Sequence, residues 1–241
     1  MSSHTPWHAG RLAGFDLETT GVDVEADRIV TACVVQVGAG QPVQSATWLA
    51  DPGIDIPEEA TAVHGITTER ARAEGRPAAE VVAELLAVLG QVIAHGIPIV
   101  AMNARYDLTM LDREARRYGL DPLSAGLGGL VVIDPYVIDK AVDTYRRGSR
   151  KLTALCEHYG VAMGAAHTAD ADALAACRVA WRQATLHPRL ADMALPELHA
   201  VQAGWAAEQA ASLQDYLRRK DPAAVCPPEW PVIPRQQNGD R

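Results

Sequence analysis

The sequence predicts an α/β fold: a mixed five-stranded sheet flanked by helices, with a C-terminal helical extension. Three observations carry this. Three strand-like runs come first, the second rich in Val, Ile and Thr, separated by turn residues and not by helical periodicity. Two short apolar runs follow, each leading into a segment with apolar residues at every third or fourth position. Strands that first stand together and then alternate with helices give a mixed sheet covered on its faces.

Taken in order, residues 12–17 read as the first strand, stopped by Thr19-Thr20-Gly21. Residues 28–37 and 42–49 are the second and third, turned at Gly38-Ala39-Gly40, and the three form an antiparallel meander. Residues 51–66 carry Pro52, Gly53, Pro57 and Gly65 and read mostly as loop. Pro77 opens a helix at the position proline prefers, with Val81, Leu85, Leu86, Leu89 and Ile93 as its apolar face. Residues 98–102 form a buried strand, 106–118 a helix closed by Gly119, and 130–133 another buried strand. Helices are expected at 135–142, 151–159 and 168–186. A last helix, 195–219, starts at Pro196 and carries a rough apolar stripe of Leu198, Val201, Trp205, Leu213 and Leu217, expected to pack on its own domain. From Asp221 onward Pro222, Pro227, Pro228 and Pro234 make the tail irregular, and Trp230 is the side chain able to anchor it. The chain divides into a main domain over residues 1–186 and an extension over 187–241.

With 241 residues, 48% of them hydrophobic, the chain can bury a core, and with one Phe that core must be mostly Ala, Val and Leu. A net charge of −8 argues against a passive nucleic-acid coat, which needs a broad basic surface. It leaves room for an enzyme whose bound cations reverse the sign of one pocket. Cys33, Cys156, Cys177 and Cys226 contain no C-x-x-C pair, so they read as buried or free thiols in a reducing compartment. The N-terminus lacks a basic segment followed by an apolar run, and no stretch approaches the roughly 20 apolar residues of a membrane span. A soluble, cytoplasmic protein without membrane contact is the expectation.

The chemistry sits in three segments. Asp16 and Glu18 are two apart on a strand and face the same side. Like charges so close repel, burial worsens it, and a divalent cation relieves both; an oxygen-only site suits Mg²⁺ or Mn²⁺. In isolation the pair also fits an edge strand with solvated acids. Next, an apolar strand runs into Asn103, and Asp107 falls in the first turn of the following helix, where the helix dipole alone would also favour an acid. Third, His167 lies at a helix start with Asp170 and Asp172 after it. Those two acids point to different faces, so one joins an internal site easily; Asp172 takes that place unless the helix starts late, and His167 or Asp170 could instead cap the helix. Together the segments could converge at one end of the sheet. Four carboxylates holding two cations about 3.5–4 Å apart make the clamp used for in-line displacement at phosphorus, and a histidine supplies a base near working pH.

In order and spacing these motifs resemble the DEDDh family of 3′→5′ exonucleases, the group containing the proofreading epsilon subunit of bacterial DNA polymerase III. The resemblance rests on Asp16-Leu17-Glu18-Thr19-Thr20-Gly21 with Asp27-Arg28-Ile29-Val30 after it, and on Val63-His64-Gly65-Ile66-Thr67. It continues with Asn103-Ala104-Arg105-Tyr106-Asp107 and with His167 followed five positions on by Asp172, so it covers residues 11–181. It implies a ribonuclease H-like fold and an exonuclease domain over residues 1–186. It implies two Mg²⁺ or Mn²⁺ held by Asp16, Glu18, Asp107 and Asp172, with His167 deprotonating the water. Leu17 and Thr19 should meet the terminal nucleotide through their backbone, with Asn103 beside them. His64 either lines that pocket or orders its own loop. The implied substrate is a single-stranded or frayed 3′ end of DNA, with RNA as the other polymer, and the implied role is repair or proofreading beside a DNA polymerase subunit. Oligomeric state is not implied. Met102 departs from the family, where His often precedes the Asn; altered packing or substrate contact is expected there, not loss of activity.

Arg146, Arg147, Arg150 and Lys151 form a basic cluster that either holds the substrate backbone or is a solvated loop. Two other function classes compete. A non-catalytic nucleic-acid or polymerase interaction subunit would keep the fold, but all five catalytic residue types are present. An aspartyl-phosphate phosphatase needs a nucleophilic Asp with a partner lysine; the lysines here are Lys140, Lys151 and Lys220, and the acid pair is Asp/Glu.

Overall fold

The structure, a computed structural model, describes residues 6–123, 129–164 and 168–235. Its first half is the expected meander: β1 (Arg11–Thr19), β2 (Ile29–Gly38) and β3 (Gln44–Asp51) pair antiparallel. The segment expected as loop instead holds α1 (Glu58–His64), followed by α2 (Thr68–Glu74). The same residues that read as breakers bracket α1: Pro57 stands just before its first residue, and Gly65 closes it at φ 74°. Thr67 caps α2 by accepting a hydrogen bond from the Arg70 N–H.

Next come β4 (Arg76–Pro77) and α3 (Ala78–Ala94), so Pro77 precedes its helix by one residue instead of opening it. β5 (Ile99–Val100), α4 (Ala104–Arg117), β6 (Val132–Ile133) and α5 (Pro135–Val142) follow. The chain continues with α6 (Leu152–Tyr159), α7 (Ala169–Leu186), α8 (Pro188–Ala191) and α9 (Leu195–Leu217). The sheet order is β4-β3-β2-β1-β5-β6, with β5 and β6 running parallel to β1. β4 adds a sixth, two-residue strand to the five expected. It reaches β3 because Gly75 offers no side chain: a Cβ there would lie 2.6 Å from the Asp51 backbone nitrogen.

The period of two along β1 sorts its residues between two layers. Ala13, Phe15 and Leu17 enter the main core with Leu85 and Leu89 of α3 and Leu108 and Leu111 of α4. On the other face Leu12 packs with Ala176, Cys177 and Ala180 of α7. Asp16 and Glu18 belong to this second face, at the strand end.

β6 is an edge strand, and unpaired edge groups need partners. α9 supplies them. Gln202 donates to Val132 O (3.0 Å) and accepts from Asp134 N (2.7 Å), and His199 Nδ1 accepts from Val132 N (3.1 Å). The buried row of α9 is therefore Leu198, Gln202, Ala206 and Ala210. The expected stripe holds only in its first half: Val201 and Trp205 are half-buried, whereas Leu213 and Leu217 are 47% and 38% exposed. The tail returns along α4 as a strap. Arg105 donates to Pro227 O (3.0 Å), Arg113 to Ile233 O (2.9 Å), and Ile233 N to Thr109 Oγ1 (3.0 Å). Trp230 is buried and anchors the strap, as expected of it. Among the described residues no helix is long and apolar enough to cross a membrane.

Two of the four basic-cluster residues turn inward. The fully buried Asp139 accepts from Arg146 Nη2 (2.8 Å), from Arg150 Nη1, and from Tyr159 OH (2.8 Å). Arg146 and Arg150 thus fasten the 143–151 loop through Asp139, and Arg150 also lines the pocket beside Asn103. Asp139→Ala would leave two guanidinium groups without their counter-charge, and should destabilise the protein by about 3–5 kcal/mol in urea unfolding. A loss below about 1 kcal/mol would show that the arginines re-solvate and the clamp does not matter.

Candidate active site

β1 ends in a bulge between Glu18 and Thr19, where its register with β2 shifts. Bulges re-aim side chains at strand ends, and here the strand end carries the acids. The chain then turns back through a closed loop. Thr20 Oγ1 donates to Asp27 Oδ1 (2.7 Å), Arg28 N donates to Thr20 Oγ1 (3.0 Å), and Gly21 leaves room for the Asp27 carboxylate. Tyr106 braces the same loop, its hydroxyl donating to Gly21 O (2.5 Å) and lying 2.6 Å from Thr19 Oγ1.

α7 crosses this strand end and brings Asp172 over it. One carboxylate oxygen each from Asp16, Glu18 and Asp172 lies within 4.8 Å of the others. Asp107, 4% exposed in the first turn of α4, accepts from the Leu17 N–H (3.2 Å) and raises the proton affinity of Asp16 by its charge. So all four predicted carboxylates converge. Asp170 is exposed on another face of α7, leaving Asp172 as the acid of that pair that reaches the cluster. His167 lies outside the described residues.

The electrostatics are those of a site short of positive charge. Burial, then Asp107, Glu18 and Asp172, hold the Asp16 carboxyl well above its ordinary range. Burial and Asp172 push Glu18 up to about 7. Burial raises Asp107 as well, with the Leu17 N–H acting the other way. This all-oxygen donor set and its mutual repulsion fit a divalent cation.

Of the predicted substrate residues, Leu17 and Thr19 flank Glu18 on β1, and His64 and Asn103 lie at the end of α1 and the start of α4. His64, at the end of α1, accepts from Ile66 N (3.1 Å), and burial lowers its pKa. Asn103 sits in the left-handed region at φ 63°, ψ 47° and leads into α4. A pocket of about 580 Å³ opens beside it, lined also by Met102, Tyr136 and Lys151. Met102, the departure noted above, packs half-buried against the cluster of Leu155, Cys156 and Val179.

The pattern that defines the exonuclease family RNase_T matches residues 13–180. The chain belongs to that family. That membership agrees with the DEDDh exonuclease family that the motifs resembled. Among its relatives are PolC-type DNA polymerases III. That of Halalkalibacterium halodurans is 26% identical over 181 residues, spanning 75% of this chain and 12% of the polymerase. That of Lacticaseibacillus paracasei is 27% identical over 159 residues, 66% of this chain and 10% of the polymerase. The chain thus spans about a tenth of the relatives it matches. E. coli exonuclease I bound to a dT13 oligonucleotide shares the fold, with a TM-score of 0.65, 22% identity, and coverage of 75% of this chain and 42% of that one.

Within this exonuclease fold two contributors escaped the sequence reading. Tyr106 lies inside the second motif, but nothing local pairs it with Gly21, 85 residues earlier. Asp134 had a local signal, an acid directly before Pro135 at a helix start, and is buried at the site's rear. Burial raises it to about 6, against hydrogen bonds from Asn103, Trp230, Tyr136 and Val137.

Proposed function

We propose that the protein is a metal-dependent 3′→5′ exonuclease that hydrolyses the terminal phosphodiester of DNA, releasing nucleoside monophosphates. The observation that carries this is the convergence of Asp16, Glu18 and Asp172 within 4.8 Å, with Asp107 beside them. Asp16, Glu18, Asp107 and Asp172 would hold two Mg²⁺ or Mn²⁺. Bound there, the cations supply an activated water and neutralise charge gained at phosphorus. His167 takes the proton from that water. The backbone at Leu17 and Thr19, with His64 and Asn103, receives the terminal nucleotide, and Tyr106 keeps the Thr19–Gly21 turn rigid against it.

A single-stranded or frayed 3′ end of DNA is the substrate, supported by the oligonucleotide-bound exonuclease I that shares the fold; RNA is the polymer to compare. The PolC-type relatives support a role in repair or proofreading beside a polymerase subunit. Residues 1–186 act as the exonuclease domain and 187–241 as an extension packed onto it, in a cytoplasmic protein.

The test uses 3′- and 5′-labelled single-stranded DNA and RNA with Mg²⁺, Mn²⁺ or EDTA. Metal-dependent release of 3′ mononucleotides is expected, and the DNA/RNA ratio names the polymer. A folded protein that cleaves none of them with metal present would end the enzyme reading.

A further inference from the structure

The second motif of the site is held from behind by a single carboxylate. Asn103 adopts a left-handed backbone, uncommon outside glycine though asparagine tolerates it better than most residues. Asp134, 1% exposed, holds the turn there: Oδ1 accepts from Asn103 N (3.0 Å) and Oδ2 from Ala104 N (2.9 Å). Oδ1 also caps α5, accepting from Tyr136 N (3.0 Å) and Val137 N (3.4 Å). Capping α5 is an ordinary task for an Asp before a proline, and would explain Oδ1 alone. Oδ2 takes no part in that cap. It serves the start of α4 and accepts the Trp230 indole N–H (3.3 Å) from the C-terminal strap. Gln202 of α9 holds the Asp134 backbone N–H (2.7 Å). Trp230 in turn packs at a tilt against His199, with ring centroids 5.0 Å apart, and that ring is fixed to β6. Three residues past Ala104, the first turn of α4 delivers Asp107 to Leu17 N.

We propose that Asp134 is a positioning residue for the hydrolysis. Locked by Trp230 and Gln202, it sets the Asn103–Ala104 turn that brings Asn103 and Asp107 to the end of β1. The extension beyond the family's own span is thereby part of the site's scaffold. The role in turnover rests on the exonuclease reading; the role in shaping the cation site does not.

Asp134→Asn separates the two tasks of the carboxylate. The amide keeps one acceptor for Oδ1's partners, but its NH₂ would face the Ala104 and Trp230 donors. Trp230→Phe removes one donor and keeps the aromatic bulk. Both full-length variants would be checked for folding by circular dichroism. Mn²⁺ affinity would be measured by calorimetry without nucleic acid, and kcat and KM on labelled single-stranded DNA. Asp134→Asn should weaken Mn²⁺ binding and lower kcat by about 10–100-fold each, with KM changed less than about threefold. Trp230→Phe should show the same pattern at roughly three- to fivefold. A folded Asp134→Asn with wild-type Mn²⁺ affinity and kcat overturns the proposal. If Asp134→Asn does not fold, wild-type Mn²⁺ affinity in Trp230→Phe overturns it. If the wild type binds Mn²⁺ but hydrolyses nothing, the exonuclease reading fails, and the Mn²⁺ comparison still decides the positioning.

Discussion

Asp16→Asn is expected to lower kcat/KM by roughly 10³-fold or more and, at pH 8 in EDTA, to raise the Tm. The two effects share one cause. Asp16 is the carboxylate against which Asp107, Glu18 and Asp172 all act. With cations bound it is needed; without them its charge is the most strongly opposed in the site. The pH dependence follows from the direction of the shifts. Asp16, Glu18 and Asp107 all have folded-state values above their ordinary ones. The stability they contribute is fully present below the ordinary carboxylate range and is lost as pH rises through the folded values. For Glu18 that window runs from 4.5 to about 7. Its share is about 1–2 kcal/mol once solvent screening of a half-exposed group is allowed for. The cation-free protein should therefore lose Tm from pH 5 to 8, Mn²⁺ should restore it, and Asp16→Asn should flatten the curve. A lower Tm for Asp16→Asn at pH 8 in EDTA would mean the acids are satisfied without cations.

The parts of this site legible in the sequence are those that local periodicity fixes. A period of two puts Asp16 and Glu18 on one face wherever the strand runs, and a helix start after Asn103 puts Asp107 in a first turn. The family resemblance alone assigned Asp107 to the metal site, and its bond to Leu17 N, 90 residues away, was not legible in the sequence at all. Asp134 stayed hidden because its side-chain donors come from three separated stretches: Asn103 with Ala104, Tyr136 with Val137, and Trp230. The basic cluster was read only in part for a related reason. Its charges are plain in the sequence, but the acid that consumes two of them sits in an unremarkable helix turn at Asp139. In α1 the breakers themselves misled: Pro57 and Gly65 are as good at framing a two-turn helix as at filling a loop. The stripe on α9 failed at Leu213 and Leu217, which remain exposed beyond the buried row ending at Ala210.

Gly14→Ala should be severely damaging although it adds only a methyl group. A Cβ at Gly14 would lie 2.4 Å from the Ala173 carbonyl oxygen of α7 and 2.8 Å from Val35 Cγ1. The valine can turn, but the helix backbone cannot, so α7 must back away from β1. Asp172 is the residue before Ala173, and it would move out of the cluster with the helix. Overpacking of this kind costs about 1–3 kcal/mol, readable in urea unfolding. The functional loss should be larger, about 10²-fold in kcat/KM, because misplacing a ligand by about 1 Å is enough for that. Gly204→Ala is the matched control. It lies within α9 with nothing near its Cβ position, and should stabilise by up to about 1 kcal/mol without changing turnover. Wild-type kcat/KM in a folded Gly14→Ala protein would show that Asp172 reaches its partners independently of how closely α7 rides on the strand. The glycine would then serve packing alone. The predicted loss would instead make Gly14, two residues before Asp16 and on the same face, the spacing element that lets a strand carboxylate and a helix carboxylate share a cation.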